Sequence, residues 1–324
     1  MRRLFWLLGV VALIAIGVRP VSAQTTRYAV IVQGASGDPQ YATQHRAWVD
    51  GLAGVLRDKL GFDAAHLVVL TEEPRANELK STAENVKATL ARVAKDTKAD
   101  DLVFVMLIGH GSGDGAAAKF NLVGPDLTAV EWAGLFQPIA ARLAVVDSTS
   151  SSFTFLAGLS GKNRVVITAT GSYSQRFHTV FPDAFIQALT AGDADADKNG
   201  RISLLEAFTY ASRLVALHYE QVGYMSTETA VFDDNGDGKG RSAAQTGDDG
   251  VVAGLTYLDV VAAPKASDPA VQALLVRQQQ LTDQIDALRR QRPTMAPIDF
   301  DRQFEALIIE LATVSRDVRR RNGK

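Results

Sequence analysis

Two segments of this 324-residue chain carry side chains suited to hydrolysis. Gly109-His110-Gly111-Ser112-Gly113 sets one imidazole between glycines, where a backbone or ligand can approach closely. Asp147-Ser148-Thr149-Ser150-Ser151-Ser152 is an unbroken run of side-chain oxygens. A histidine within hydrogen-bond reach of a hydroxyl can take its proton and turn it into a nucleophile. The chain has no cysteine, so a thiol nucleophile and a cysteine-ligated metal are both excluded.

A third segment, residues 195–206, points to a cation. Asp195, Asp197, Asn199 and Ser203 stand at the first, third, fifth and ninth positions of a twelve-residue calcium loop. Gly200 supplies the sharp turn, Ile202 the apolar eighth position, Arg201 a backbone carbonyl, and Glu206 the bidentate closing carboxylate. The expected cofactor is therefore Ca2+ in a structural role; an acidic helix cap with a solvated loop is the competing reading. Asp233-Asp234-Asn235-Gly236-Asp237-Gly238 starts in the same way, but its twelfth position is Ala244. Either Asp248 or Asp249 closes that loop from farther away, or it is a plain Asp/Gly turn.

The elements that must position these groups follow from periodicity. Leu102 to Ile108 and Leu143 to Val146 are short apolar runs ending at the two hydrolytic segments. Both read as buried strands whose carboxyl ends face one crevice. Tyr28 to Val32, His66 to Leu70 and Val165 to Thr168 read as further strands, and Val251 to Val261 as strand-like. Trp48, Leu52, Val55, Leu56 and Leu60 fall at helical spacing, as do Val86, Leu90 and Val93. Leu127 to Ile139 reads mainly as a helix. Continuous apolar strands alternating with helices predict an α/β fold with a doubly wound, mostly parallel sheet. After Pro264, Leu274, Leu281 and Leu288 repeat every seven residues, and Phe304, Leu307, Leu311, Val314 and Val318 follow 3–4 spacing. That pattern predicts a C-terminal helical hairpin with coiled-coil-like seams, packed on the main domain or on a second copy.

Arg2 and Arg3, the apolar run Leu4 to Val18 and Val21-Ser22-Ala23 have the order of a secretory signal peptide. The expected layout is a signal at 1–23, cleaved after Ala23 or kept as an uncleaved anchor, an α/β domain at 24–263 containing the EF-hand-like loop, and a helical tail at 264–324. The protein is then secreted or periplasmic, with no membrane association beyond the signal. A formal net charge of -2 argues against a nucleic-acid partner.

The ordered motifs resemble the caspase/legumain superfamily of cysteine peptidases, in its bacterial caspase-like form. The resemblance rests on Ile108-Gly109-His110-Gly111-Ser112, on Asp147-Ser148-Thr149-Ser150-Ser151-Ser152 after the next strand, and on Arg164-Val165-Val166-Ile167-Thr168-Ala169-Thr170. It covers roughly residues 27–260 and implies a caspase-like sheet. It implies that His110 acts on the nucleophile, and that the amides of Gly111 and of the nucleophile position form an oxyanion hole. Thr149 stands where the cysteine is expected, and Ser152 where a glycine is usual. A threonine hydroxyl is far less acidic than a thiol and needs a well-aligned base. Three readings follow. One is a pseudopeptidase that binds a peptide or protein partner through the inherited cleft. Another is a hydrolase using His110 with Thr149, Ser148, Ser150 or Ser151. The third is a structural loop whose hydroxyls satisfy turn amides. Arg46, in Gln44-His45-Arg46, stands near the place where the family carries basic residues for substrate recognition, or is simply a helix-start arginine.

Overall fold

A computed structural model describes residues 25–113, 115–245, 247–260, 266, 268–292 and 295–322. The expected signal segment lies outside them. Along the chain run β1 (Arg27–Gln33), α1 (Pro39–Gly54), β2 (Leu67–Thr71), β3 (Leu79–Lys80), α2 (Ala83–Asp96) and β4 (Leu102–Ile108). Next come β5 (Gly111–Ser112), β6 (Lys119–Phe120), β7 (Leu127–Thr128), α3 (Ala129–Phe136), β8 (Arg142–Asp147), α4 (Phe153–Leu159) and β9 (Arg164–Thr168). The series ends with α5 (Phe181–Ala188), α6 (Leu204–Val222), β10 (Val231–Asp233), α7 (Val251–Gly254), α8 (Pro269–Gln291) and α9 (Pro297–Asn322).

Seven strands form one sheet in the order β10-β9-β8-β4-β1-β2-β3, parallel except for β10. The chain winds outward from β1 to β3, then crosses back to β4 and winds the other way. The point where the order reverses therefore lies between β1 and β4. Every residue of β4 is buried, as a central strand covered on both faces requires. Phe104, Met106 and Ile108 pack on one side with α1, α5 and α6, while Val103, Val105 and Leu107 pack on the other with α2, α3 and α4. This is the doubly wound, mostly parallel sheet that the apolar runs predict. β5, β6 and β7 form a small antiparallel sheet immediately after β4.

Two elements differ from expectation. Val251–Gly254 is a helical turn rather than a strand. The buried Asp234 carboxylate accepts the amides of Gly250 at 2.8 Å and Ala253 at 2.7 Å, so a residue remote in sequence caps the turn and overrides the valines' strand preference. The predicted helix at 127–139 opens with the short strand β7, and Thr128 then caps α3 through a capping box with Glu131.

α8 and α9 form the hairpin that the heptad spacing requires. Leu281, Val314 and Val318 are buried in its seam, with Leu274, Leu307 and Leu311 packed around them. Arg277 donates to Glu310, and Gln278 to Ser315 at 2.9 Å across the pair. Among the described residues, no helix is long and apolar enough to cross a membrane. Leu281 has its own satellite core, so Leu281→Asp should unzip α8 and α9 and lower the helical circular-dichroism signal. The thermal transition of the sheet domain should stay within a few degrees of the parent. One shared transition shifted far downward would instead mean that hairpin and sheet fold as a unit.

Candidate functional site at the strand ends

β4 and β8 are paired in parallel with Leu107 opposite Asp147, which carries the turns after them to the same edge of the sheet. Gly109 leaves β4 at φ 151°, against the backbone of Gly34 at the end of β1. A side chain there would be strained and crowded at once. At Gly111 an added Cβ would lie 3.0 Å from both Thr149 Oγ1 and Ser151 Cβ. The two sequence motifs are thus interlocked, but the histidine and the threonine are not joined. Thr149 is fully buried, and its hydroxyl has no hydrogen-bond partner among the described residues. Its amide donates to Asp147 Oδ1 at 3.0 Å. That amide is the one the resemblance assigns to an oxyanion hole.

The neighbouring hydroxyls are largely committed to the fold. Ser148 donates to the Leu107 carbonyl at 2.5 Å, and Thr179 in turn donates to the Ser148 carbonyl at 2.6 Å. Ser152 lies 3.0 Å from the Thr170 hydroxyl and accepts the Thr170 amide at 3.1 Å. Ser150 makes a long contact of 3.4 Å to the Gly111 carbonyl. Ser151 lines a shallow depression beside Gly113, Phe153 and Tyr173. Burial pushes the Asp147 carboxyl up to about 6 against the opposing pull of Thr149.

His110 belongs to a cluster that the sequence does not announce. His45 from α1 and His178 from the segment before α5 lie beside it, with ring centroids 5.1 Å (His45–His110), 5.9 Å (His110–His178) and 6.1 Å (His45–His178) apart. One nitrogen of each lies within 4.8 Å of the others. Trp48 stacks on His178 at 5.7 Å and on His45 at 5.6 Å, and Tyr41 packs on His110 at 4.8 Å and His178 at 4.7 Å. Burial lowers all three imidazole pKa values, His45 to about 3 with a further push from the other two rings. Glu228 anchors the segment that carries His178. It accepts the Val180 amide at 2.7 Å and the Phe181 amide at 3.2 Å, at the start of α5. His45 and His178 obey no local spacing, so only the fold brings them together.

Arg46 is part of a structural ion pair. Its guanidinium donates to both oxygens of Glu78 at 2.8 and 3.0 Å and to the Glu73 carbonyl at 2.6 Å. In the 195–206 loop, oxygens of Asp195, Asp197 and Glu206 lie within 4.8 Å of one another. Asp195 accepts the amides of Asn199 and Gly200, Glu206 those of Ala196 and Asp197, and Asn199 that of Arg201. Ser203 caps α6 and donates its hydroxyl to Glu206 at 2.8 Å. The Arg201 guanidinium bonds Asp259 and lies 3.8 Å over the Tyr257 ring, turned toward those partners. In the second acidic loop Asp249 accepts the amides of Asp234 and Asn235, as Glu206 does in the first. There, however, the Arg241 guanidinium pairs with Asp249.

No family model matches the chain, and no curated protein matches it in sequence. Among solved structures, a structural-genomics protein from Geobacter sulfurreducens is similar over 67% of this chain and 97% of its own, at 14% identity and a TM-score of 0.43. The Drosophila initiator caspase Dronc is similar over 67% of this chain and 82% of its own, at 13% identity and a TM-score of 0.41. These are distant similarities of structure.

The raised Asp147 pKa sets a pH dependence. The folded state holds a proton that the unfolded carboxyl releases above about 3.9, so this group favours folding in acid and loses that contribution as pH rises through about 6. Between pH 4.5 and 7.5 the loss is about 2 kcal/mol. Asp147→Asn keeps an oxygen for the Thr149 amide and should flatten that part of the urea-denaturation pH profile. An unchanged profile would mean that Asp147 folds in its charged form.

Proposed function

We propose that this chain is an exported caspase-like peptidase homologue that binds a peptide or protein segment at the strand-end crevice and does not cut it with a hydroxyl nucleophile. The observation that carries the reading is the state of Thr149. Its hydroxyl is sealed and unpartnered, and its amide is already spent on Asp147. A nucleophile needs a base within about 2.6–3.2 Å and an open path to substrate. An oxyanion hole needs free, pre-aimed amides. What remains beside Ser151, Phe153 and Tyr173 is a shallow depression with room for about one water, so a bound segment would lie across it. Exposed Tyr173 and Phe177 add apolar surface near it.

An acylating serine-hydrolase probe should leave Thr149 and the neighbouring serines unlabelled, while a degenerate peptide array should retain binders. Thr149→Cys should stay inactive, because the side chain at 149 faces Gly111 and lacks a hydrogen bond to His110. Labelling at residue 149, or activity gained in the cysteine variant, would return the chain to the working hydrolases.

The 195–206 loop supports a structural Ca2+. Its donors are all oxygen, the class that Ca2+ prefers, and its carboxylates converge while Arg201 is engaged elsewhere. Asp195, Asp197, Asn199, Glu206 and the Arg201 carbonyl would hold the ion, with Ser203 at the ninth position. For a Kd of about 10⁻⁴–10⁻³ M, 10 mM Ca2+ should raise unfolding stability by roughly 1.4–2.7 kcal/mol. Chelation should reverse the gain, and Glu206→Gln should remove most of it. Identical melting curves with Ca2+ and with chelator would rule the ion out.

A further inference from the structure

We propose that His45, His110 and His178 form a binding site for a divalent transition-metal ion of the zinc class. The inference goes beyond the peptide-binding reading and stands independently of it.

Position is the first support. In an open α/β sheet, ligands bind outside the carboxyl ends of the strands, where the strand order reverses. Here that place lies between β1 and β4. His110 leaves the end of β4, and α1, which carries His45, follows β1. His178 reaches the same place from the segment before α5.

The donors themselves are the second. A buried imidazole normally satisfies its ring nitrogens with hydrogen bonds. His45 is fully buried, yet its Nε2 has no partner, and neither does the buried Nε2 of His178. Two imidazoles with an orphaned nitrogen each, in one cluster with a third imidazole, make a poor hydrophobic core and a good ligand set. The other nitrogen of His45, Nδ1, sits 3.4 Å from the buried Ser36 hydroxyl. Such an outer partner fixes the ring and leaves Nε2 free to ligate.

The chemistry of the set selects the ion. Three imidazoles without a carboxylate or thiolate suit Zn2+ and its transition-metal neighbours, and do not suit Ca2+ or Mg2+. Tetrahedral Zn–N bonds put ligand nitrogens about 3.3 Å apart. Small ring rotations at the half-buried His110 and His178 would close the present spread of at most 4.8 Å. Those same two residues give the ion a path from solvent, while Tyr41 and Trp48 wall the other sides. Three protein ligands leave a fourth position for water or for a donor from a bound partner.

The test uses the full mature chain without a polyhistidine tag, stripped with chelator and titrated calorimetrically with Zn2+. One ion per chain is expected. His178→Ala and, separately, His110→Ala should each weaken binding by more than about 100-fold while far-ultraviolet circular dichroism stays native. Glu206→Gln should leave Zn2+ binding unchanged, which separates this site from the acidic loop. Co2+ should give the intense visible bands of a tetrahedral site, and both histidine variants should lose them. Less than one ion per chain, equal affinity in the two histidine variants and the parent, or sensitivity to Glu206→Gln alone would each overturn the proposal.

Discussion

The parallel pairing of β4 with β1 and β8 is the constraint from which the rest follows. These strands are buried on both faces, so their register is fixed by a continuous apolar core on either side. A slip by one residue would turn each buried side chain to the opposite face. Because the pairing is fixed, the turns after all three strands emerge at one edge, where the glycines after β1 and β4 come close to their neighbours. Gly34 donates its amide to the Ile108 carbonyl at 2.8 Å, and Gly111 lies against Thr149 and Ser151. The edge is held partly by these close backbone contacts and partly by side chains such as Asp147, Ser152 and Glu228 that bind neighbouring amides.

This explains why the sheet was legible in the sequence and much of the site was not. Runs such as Leu102 to Ile108 state their burial locally, and the heptad leucines state the hairpin. The histidine at the end of β4 is equally visible, because glycines frame it. His45 and His178 are visible only through the fold, since each sits among residues with no motif of its own. The same holds for the edge strands. β3 is short and exposed, and β10 runs into an aspartate-rich loop that masks its apolar residues. Val251–Gly254 misleads for a related reason, as the group that caps it stands many residues upstream.

The two acidic loops show how one local geometry can be completed in different ways. Both use a distant carboxylate to gather the amides at the loop's start. In the first, the nearby arginine turns outward to Asp259 and Tyr257. In the second, an arginine turns inward and neutralises the closing aspartate. A guanidinium meets in the second loop an electrostatic demand that, on the proposed reading, a cation would meet in the first. The spacing of ligands alone does not distinguish them, because the deciding residue lies outside the core of the motif.

The close contact of Gly111 with Thr149 and Ser151 also bears on how such a chain can change over generations. Any larger residue at 111 must displace the side chains at 149 and 151, and any change of shape at 149 is felt at 111. The positions are therefore epistatic, and substitutions tolerated singly elsewhere must arrive here in compatible pairs.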